Sequence, residues 1–539
     1  MELETLALQE KNEVMLSYNN DQQFLQKFFD YPYSDDSYVN RLQELEKRTI
    51  QRQQLAETIQ RFMTPFGIST HAQRHIDELA DNGVVVIGGQ QAGVLTGPMY
   101  SVHKAITVIL LARKQRIELG VPVIPVFWVA GEDHDLNEIN HVYTETNGRA
   151  VKNQYYERYV MKLTASDTVY DQVQMASFVK SIFGNFGETA HTKNLLHEVL
   201  DAVEQEKTFT NFFVRLMNHL FQSEGLLLID ANFKPLRLLE SNYFCRLINE
   251  AEPIATLIAK KEEQFVQEGF NAPIQSAENA AHLFYIHETG RVLLTREQGD
   301  FVNESAGIRF TREELLQIAE RKPWLLSNNV ATRPLMQEMV FPVLAFVGGP
   351  GEIAYWAILK DAFHHLDMKM PIIAPRISMT LVTPQVKHVL TEKSLTVEDV
   401  LLGKIKDERE KLIGELRNDQ LDQLVDETEQ LLIEQYEKLQ QLVKQQKMLL
   451  TTELLQKNVA VHKNQLNYLR DKAEEATLLK YDPVFRTYNL LEGELNPNGS
   501  LQERIYTPYA YLNDYGPELI KDLLGLPFEM DGTHKVVYL

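Results

Sequence analysis

A doubly wound α/β sheet of parallel strands, interrupted by connective insertions and followed by a long antiparallel helical coiled coil, is the fold class that three observations in this sequence predict. Short β-branched runs closed by a turn residue recur from Val84 to Arg376. A segment with an apolar stripe at helical spacing separates the first two of them. The stretch from Val386 to Asp482 contains no proline and is dominated by Leu, Gln, Glu and Lys, all good helix formers.

Residues 1–80 are polar and helix-prone, broken by the acidic, aromatic stretch Phe28 to Tyr38, and read as helices joined by a loop. Val84-Val-Val-Ile-Gly-Gly then has the texture of a buried parallel strand. A helix is expected from Ser101 to Gly120, with Val102, Ile106, Ile109, Leu110 and Ile117 on its apolar face. Val123 to Ala130 is the second strand, so the three elements make a βαβ unit with a right-handed crossover. Gly225-Leu-Leu-Leu-Ile-Asp, Val343-Leu-Ala-Phe-Val-Gly-Gly and Pro371-Ile-Ile-Ala-Pro-Arg repeat the pattern, and one sheet explains all five. The core is therefore placed at 81–390. One insertion falls near 140–222, and a second near 272–309 carries a β-hairpin turning at Gly290.

Residues 391–480 read as the coiled coil. Val425, Leu432 and Leu439 occupy one heptad position, and Thr428, Gln435 and Leu442 the other. Leu449, Leu450, Leu454, Leu455, Val459 and Leu466 supply the return face. Folded back once, two helices of about 40 residues would each reach roughly 60 Å and offer a dimerisation surface; a bundle packed on the main domain is the alternative. Residues 481–539 are denser in aromatics and turns, which predicts a return to the globular body.

The composition narrows function. Among 539 residues, 54 Lys and Arg face 75 Asp and Glu, a formal charge of −21, so a surface that coats nucleic acid is excluded and small ligands or proteins are the expected partners. Cys245 is the single cysteine and can close no disulfide within the chain. The first residues, Met1-Glu-Leu-Glu-Thr, show neither a basic nor an apolar signal region, and no apolar run of about 20 residues spans a membrane. A cytoplasmic location is the expectation.

Three segments carry chemistry. Gly88-Gly-Gln-Gln-Ala-Gly-Val-Leu-Thr-Gly-Pro-Met-Tyr-Ser-Val-His-Lys follows the first strand. Its turn at Gly93, Thr96 and Gly97 allows close backbone approach, and the helix N-terminus beyond offers N–H groups to an anion. Gln90 and Gln91 could hydrogen-bond a polar ligand, and His103 and Lys104 could offer positive charge to phosphates or to an oxyanion. A tight structural turn is the competing account, since neither a Walker A loop nor a dinucleotide fingerprint is present. The second segment, Gly131-Glu-Asp-His-Asp-Leu-Asn-Glu-Ile-Asn-His, lies at the carboxyl end of the second strand, where open α/β sheets bind ligands. Glu132, Asp133, His134 and Asp135 could hold an ammonium group, bind Mg²⁺ or Zn²⁺, or act as a base; Asp133 or Asp135 could instead cap a helix. The third, Val347 to Lys360, adds Glu352 and Tyr355 after a glycine loop, with Asn329 and Arg333 upstream and Arg376 and Ser378 after the next strand. Arg504 and Tyr506 near the end could form an accessory pocket or simply pack.

Gly88 to Lys104, Phe127 to Glu138, Gly348 to Trp356 and Pro375-Arg-Ile-Ser-Met-Thr together resemble the BshC family of bacillithiol biosynthesis over essentially the full length. The resemblance implies a Rossmann-like core with connective insertions, a dimerising coiled coil and a ligase that adds cysteine to glucosaminyl malate. ATP-dependent activation of the cysteine carboxylate follows from the broad likeness of that core to nucleotide-activating synthetases. Met99-Tyr-Ser-Val-His-Lys and Arg376-Ile-Ser-Met-Thr stand where those enzymes carry their ATP motifs but match neither. On this reading phosphates lie against Gly93 to Lys104, with Arg376 and Ser378. Asp133 or Glu132 grips the cysteine ammonium, His134 or Asp135 is the base, and Lys104 and Arg333 take the malate carboxylates. Zinc would have to use His134, His141 and acidic residues. A nucleotidyl or glycosyl transferase and a nonenzymatic coiled-coil scaffold are the other classes left open.

Overall fold

The computed structural model describes residues 1–6, 12–157, 163–416, 419–446 and 452–539. They fall into two compact units: residues 1–146, 150–382 and 500–539 form the first, and residues 147–149 and 383–499 the second.

The first unit is organised by the five expected strands, β1 (Val84–Gln90), β2 (Val123–Val129), β3 (Leu227–Asp230), β4 (Val343–Gly348) and β5 (Ile372–Pro375). They pair in the order β5-β4-β1-β2-β3, every pair parallel. The chain thus winds outward from β1 to β3, crosses back, and winds the other way through β4 and β5. This is the doubly wound order, and it puts a topological switch point between β1 and β4. β2 is buried along its whole length, which is why its sequence is a continuous apolar run.

Helix α1 (Tyr100–Leu119) connects β1 to β2, stopping at the left-handed Gly120. It is buried almost all round from Ser101 to Ile109, with Ile117 82% exposed and so outside the apolar face expected of it. The insertion after β2 holds the strands His141–Thr146 and Arg149–Gln154 and three helices between Gln172 and Phe221. The second insertion is larger than a hairpin. Strands Ala280–His287, Gly290–Glu297, Asp300–Asn303, Ile308–Phe310 and Leu326–Asn328 make a separate antiparallel sheet. Helix α2 (Thr332–Val340) leads into β4, and α3 (Pro350–Ala357) follows it.

The N-terminal region is helical from Glu13 to Asp81, preceded by a strand, Glu2–Leu6, that the sequence reading did not contain. That strand runs antiparallel to His534–Tyr538, which is in turn parallel to Ser378–Val382.

In the second unit, α4 (Asp419–Gln445) and α5 (Thr452–Leu479) form an antiparallel pair, with Lys463 on Glu429 at 2.8 Å and Arg470 on Asp422 at 3.2 Å. Val425 and Leu432 face inward as expected, whereas Leu439, the third residue of that position, is 44% exposed. The second heptad position is displaced by one residue: Glu429, Tyr436 and Val443 are half-buried, and Thr428, Gln435 and Leu442 are exposed. A 3.6-residue helix tolerates either assignment when both positions carry mixed residues, so composition could not separate them. On the return helix Leu455, Val459 and Leu466 turn inward and Leu454 outward; Leu449 and Leu450 lie outside the described residues. No described helix is long and apolar enough to cross a membrane.

Candidate active site

A cavity of about 790 Å³ opens at the switch point. Gly89, Gln90 and Gln91 border it from the end of β1, Tyr100 and Lys104 from α1, Ala130 and Asp133 from the end of β2, and Gly349 to Glu352 and Tyr355 from the end of β4 and from α3. Phe284, Arg291 and Leu293 come from the inserted antiparallel sheet, Asn329, Arg333 and Gln337 from α2 and the loop before it, Glu138 from the short helix Leu136–Ile139, and Arg376 and Arg504 border it as well. Five cationic side chains and three carboxylates face the space. A net-positive cavity in a chain of charge −21 attracts an anion where the rest of the surface repels one.

Two charge clusters shape it. The first surrounds Glu132 and Asp133. Glu132 is fully buried and receives Arg237 Nη2 and, at 2.8 Å, Arg333 Nε. Arg237 also donates to Glu240 at 2.8 Å. Burial alone would push the Glu132 carboxyl up, but Arg237, Arg333 and Arg291 overcome it and hold the group at about 2. Asp133 Oδ1 accepts from Arg333 at 3.0 Å and Arg291 at 3.2 Å, and among the described residues Oδ2 receives only a long 3.4 Å contact from Gln91. Arg291 is anchored by Ser327 Oγ at 2.7 Å and Asn328 O at 2.6 Å and stacks on Phe284 at 3.7 Å. The second cluster surrounds Lys104, whose ammonium donates to Gly89 O at 2.7 Å, Gln90 Oε1 at 3.0 Å and Glu352 Oε2 at 2.5 Å. Burial lowers its pKa and Glu352 opposes that shift. Glu352 also accepts from the Gly349 N–H at 2.8 Å, which fixes the first turn of α3.

The remaining expected residues divide. Gln91 lines the cavity and donates to Glu138 at 2.6 Å. Asn329 lines it while capping α2 through the N–H groups of Ala331 and Thr332. Burial pushes the Tyr355 phenol well up, so it is a neutral wall. Arg504 is exposed at the rim. His103 is turned away from the cavity, 1% exposed, with Nδ1 2.7 Å from Glu503. Ser378 likewise donates inward to Glu503 at 2.9 Å. Gly93, Thr96 and Gly97 do not border the cavity: Thr96 is fully buried at φ +64, and a Cβ at Gly93 would stand 2.7 Å from Gly97 Cα, so these glycines serve a tight turn. Tyr506 is buried outside the lining, its carbonyl accepting from Met99 N–H at 2.8 Å. His134 lies beside Phe284, 6.2 Å between ring centres, and Asp135 is exposed at the start of the short helix Leu136–Ile139; neither borders the cavity.

Arg291 and Glu138 were not singled out from the sequence. The signal for Arg291 is a charged residue on the inward face of an alternating strand, directly after the hairpin glycine. Among the described residues no group of three or more His, Cys, Asp and Glu side chains is arranged to hold a metal ion.

Asp230, at the end of β3, anchors the inserted segment to the sheet by accepting from Ser166 Oγ at 2.6 Å, while its other oxygen accepts locally from the Asn232 N–H at 2.9 Å. Burial pushes its carboxyl up to about 6. A raised acid favours the folded state below its ordinary range and loses that advantage as pH climbs through about 6, here about 3 kcal/mol in all. Asp230→Asn is therefore expected to gain stability relative to the parent between pH 4 and pH 7; denaturant midpoints that run parallel across this window would refute it.

The family model described as "Bacillithiol biosynthesis BshC, N-terminal Rossmann-like domain" matches residues 1–377, and "Bacillithiol biosynthesis BshC, C-terminal coiled-coil domain" matches 379–539. The second match includes residues 500–539, which pack with the first unit; family boundaries follow the chain, whereas compact units follow contacts. A protein of Lysinibacillus sphaericus (strain C3-41) named "Putative cysteine ligase BshC" is 44% identical over 539 residues, covering all of both chains. One of the same name from Geobacillus sp. (strain WCH70) is 35% identical over 543 residues, again with full coverage of both. The crystal structure of a "putative arginyl t-RNA synthetase" from Campylobacter jejuni aligns over 89% of this chain and 100% of its own, but at 10% identity and a TM-score of 0.23.

Proposed function

Since the chain belongs to the BshC family of bacillithiol biosynthesis, we propose that it is a cysteine ligase, joining the cysteine carboxyl to the amine of glucosaminyl malate at the cavity between β1 and β4. The net-positive lining at the switch point carries this reading, because the reactants bring carboxylates and, with ATP, phosphates to one place. Phosphates are taken by Arg376, Arg504 and the Gly351 N–H at the start of α3, with the Lys104 ammonium, whose three protons are committed, adding positive charge. The malate carboxylates are taken by Arg333 and Arg291. Asp133, whose Oδ2 is open to a ligand, receives the cysteine ammonium; Glu132 is committed to its arginines and orients Arg333 instead.

In the reaction the cysteine carboxylate attacks the α-phosphorus of ATP and pyrophosphate leaves. The amine then attacks the activated carbonyl, the amide forms and AMP departs. Glu138, the exposed carboxylate of the lining, accepts the amine proton. Cationic groups fixed in advance stabilise charge that builds on phosphoryl and carbonyl oxygens.

Incubating the protein with cysteine, glucosaminyl malate and ATP should yield the amide with AMP in equal amount. ADP in its place would mean phosphoryl activation, and binding without turnover would favour a regulatory scaffold. The helical hairpin also leaves Leu424, Leu431, Val461 and Tyr468 more than half exposed, a face suited to a second copy of the chain. Leu424→Glu combined with Leu431→Glu should then convert a dimer to a monomer in sedimentation, whereas a parent that sediments as a monomer would refute this.

A further inference from the structure

Glu503, in the short turn Gln502–Arg504, is buried beneath the cavity wall and gathers donors from two other segments, residues 376–379 and α1. Its oxygens accept from Arg376 Nη1 at 2.8 Å and Nη2 at 2.6 Å, Ser378 Oγ at 2.9 Å, the Met379 N–H at 3.2 Å and His103 Nδ1 at 2.7 Å. Burial alone would raise its pKa, but Arg376 and His103 hold it well below the usual range, so it is an ionised acceptor. Its neighbours then have fixed roles. His103 must present Nδ1–H. Ser378 uses its one proton on Glu503 and so accepts from His534 Nδ1 at 2.9 Å, leaving His534 Nε2 to accept from Thr380 Oγ1 at 2.8 Å. His534 is neutral in this arrangement, in line with the lowering of its pKa by burial; burial lowers the His103 pKa too, and Glu503 opposes that shift.

The guanidinium of Arg376 is thereby held from one end. Its two terminal nitrogens grip Glu503, and Nη1 also donates to Ile377 O at 3.1 Å. The parallel pair Nε–H and the second Nη2–H, on the side of the fork, takes no acceptor among the described residues. That edge lies beside Gly349, where a Cβ would make ordinary contact with Nε at 3.8 Å and with Glu352 Oε2 at 3.7 Å, and both Gly349 and Arg376 border the cavity. Two parallel N–H groups match two oxygens of a carboxylate or phosphate.

We propose that Glu503 and His103 are positioning residues, which fix Arg376 so that its side edge binds an oxygen pair of a substrate oxyanion next to Gly349. This rests on the ligase reading, and KM and kcat measured separately for ATP, glucosaminyl malate and cysteine test the two independently. Glu503→Gln should raise KM for one anionic substrate about tenfold to a hundredfold, with kcat within about threefold. A rise for ATP identifies a phosphate, and one for glucosaminyl malate a carboxylate. Arg376→Lys, which keeps the charge but not the fork, should show the same defect and serves if Glu503→Gln does not fold. His103→Leu should raise the same KM, and His103→Asn, whose amide N–H can stand at the Nδ1 position, should recover most of it. Unchanged KM values with a fallen kcat, or His103→Asn as impaired as His103→Leu, overturn the proposal while leaving the ligase reading intact. If the parent shows no turnover, the ligase reading falls. Calorimetry with pyrophosphate and with malate then decides: weaker binding of either by Glu503→Gln supports the proposal, and equal affinities or no binding by the parent overturn it.

Discussion

Asp133→Ala is expected to lower kcat/KM for amide formation by about two to three orders of magnitude and to abolish calorimetric binding of cysteine. The variant removes the acceptor offered to the ammonium and also releases Arg333 and Arg291, which share Asp133 Oδ1. Removing one member of a desolvated, hydrogen-bonded charge set costs about 2–5 kcal/mol, which sets the size of the loss. Asp133→Asn separates the two effects, since an amide oxygen can still receive one arginine but offers no charge to the substrate. Cysteine binding retained in Asp133→Ala would move the ammonium site elsewhere in the cavity.

Glu132→Gln should lower folding stability by about 3–5 kcal/mol at pH 7, because it leaves Arg237 buried against Glu240 alone and strips Arg333 of an anchor. Replacing Arg237 by Met as well should restore part of the loss, since an absent charge is less costly than an unpaired one. The pH dependence has a fixed sign. The folded carboxyl is held at about 2, below its ordinary 4.5, so its contribution is complete above that ordinary value and disappears as pH falls through about 2. Denaturant unfolding of parent and variant should therefore converge in acid; a difference below about 1 kcal/mol at pH 7 would mean that the cluster adjusts without its central anion.

The sheet was readable because each of its strands is buried on both faces and so appears as an unbroken β-branched run. Their order came only with the structure, but the doubly wound class already pointed to the carboxyl ends of the strands, and so to the segment after Val129, as the place for a ligand. Glu2–Leu6 escaped notice because only Leu6 of its five residues is buried and its partner strand begins at His534, a pairing no local window can see. The site was legible in its segments and not in its rotations. Lys104 and His103 are adjacent on one helix, yet the lysine reaches the cavity and the histidine faces Glu503, a difference of about 100° that residue chemistry does not encode. Arg291 was missed for a related reason, since Asp133, Ser327 and Asn328 are remote from it in sequence.

The pairing of Ser378–Val382 with His534–Tyr538 bears on the order in which the molecule is made. On the ribosome Arg376 emerges long before Glu503, and the edge of Ser378–Val382 waits for about 150 further residues before its neighbour exists. Contacts of such long sequence separation slow folding and leave a bare strand open to pairing with other chains in the interval. Nascent chains arrested before Glu503 should bind chaperones, and catalytic competence should arrive late and abruptly as the last segment closes against the core.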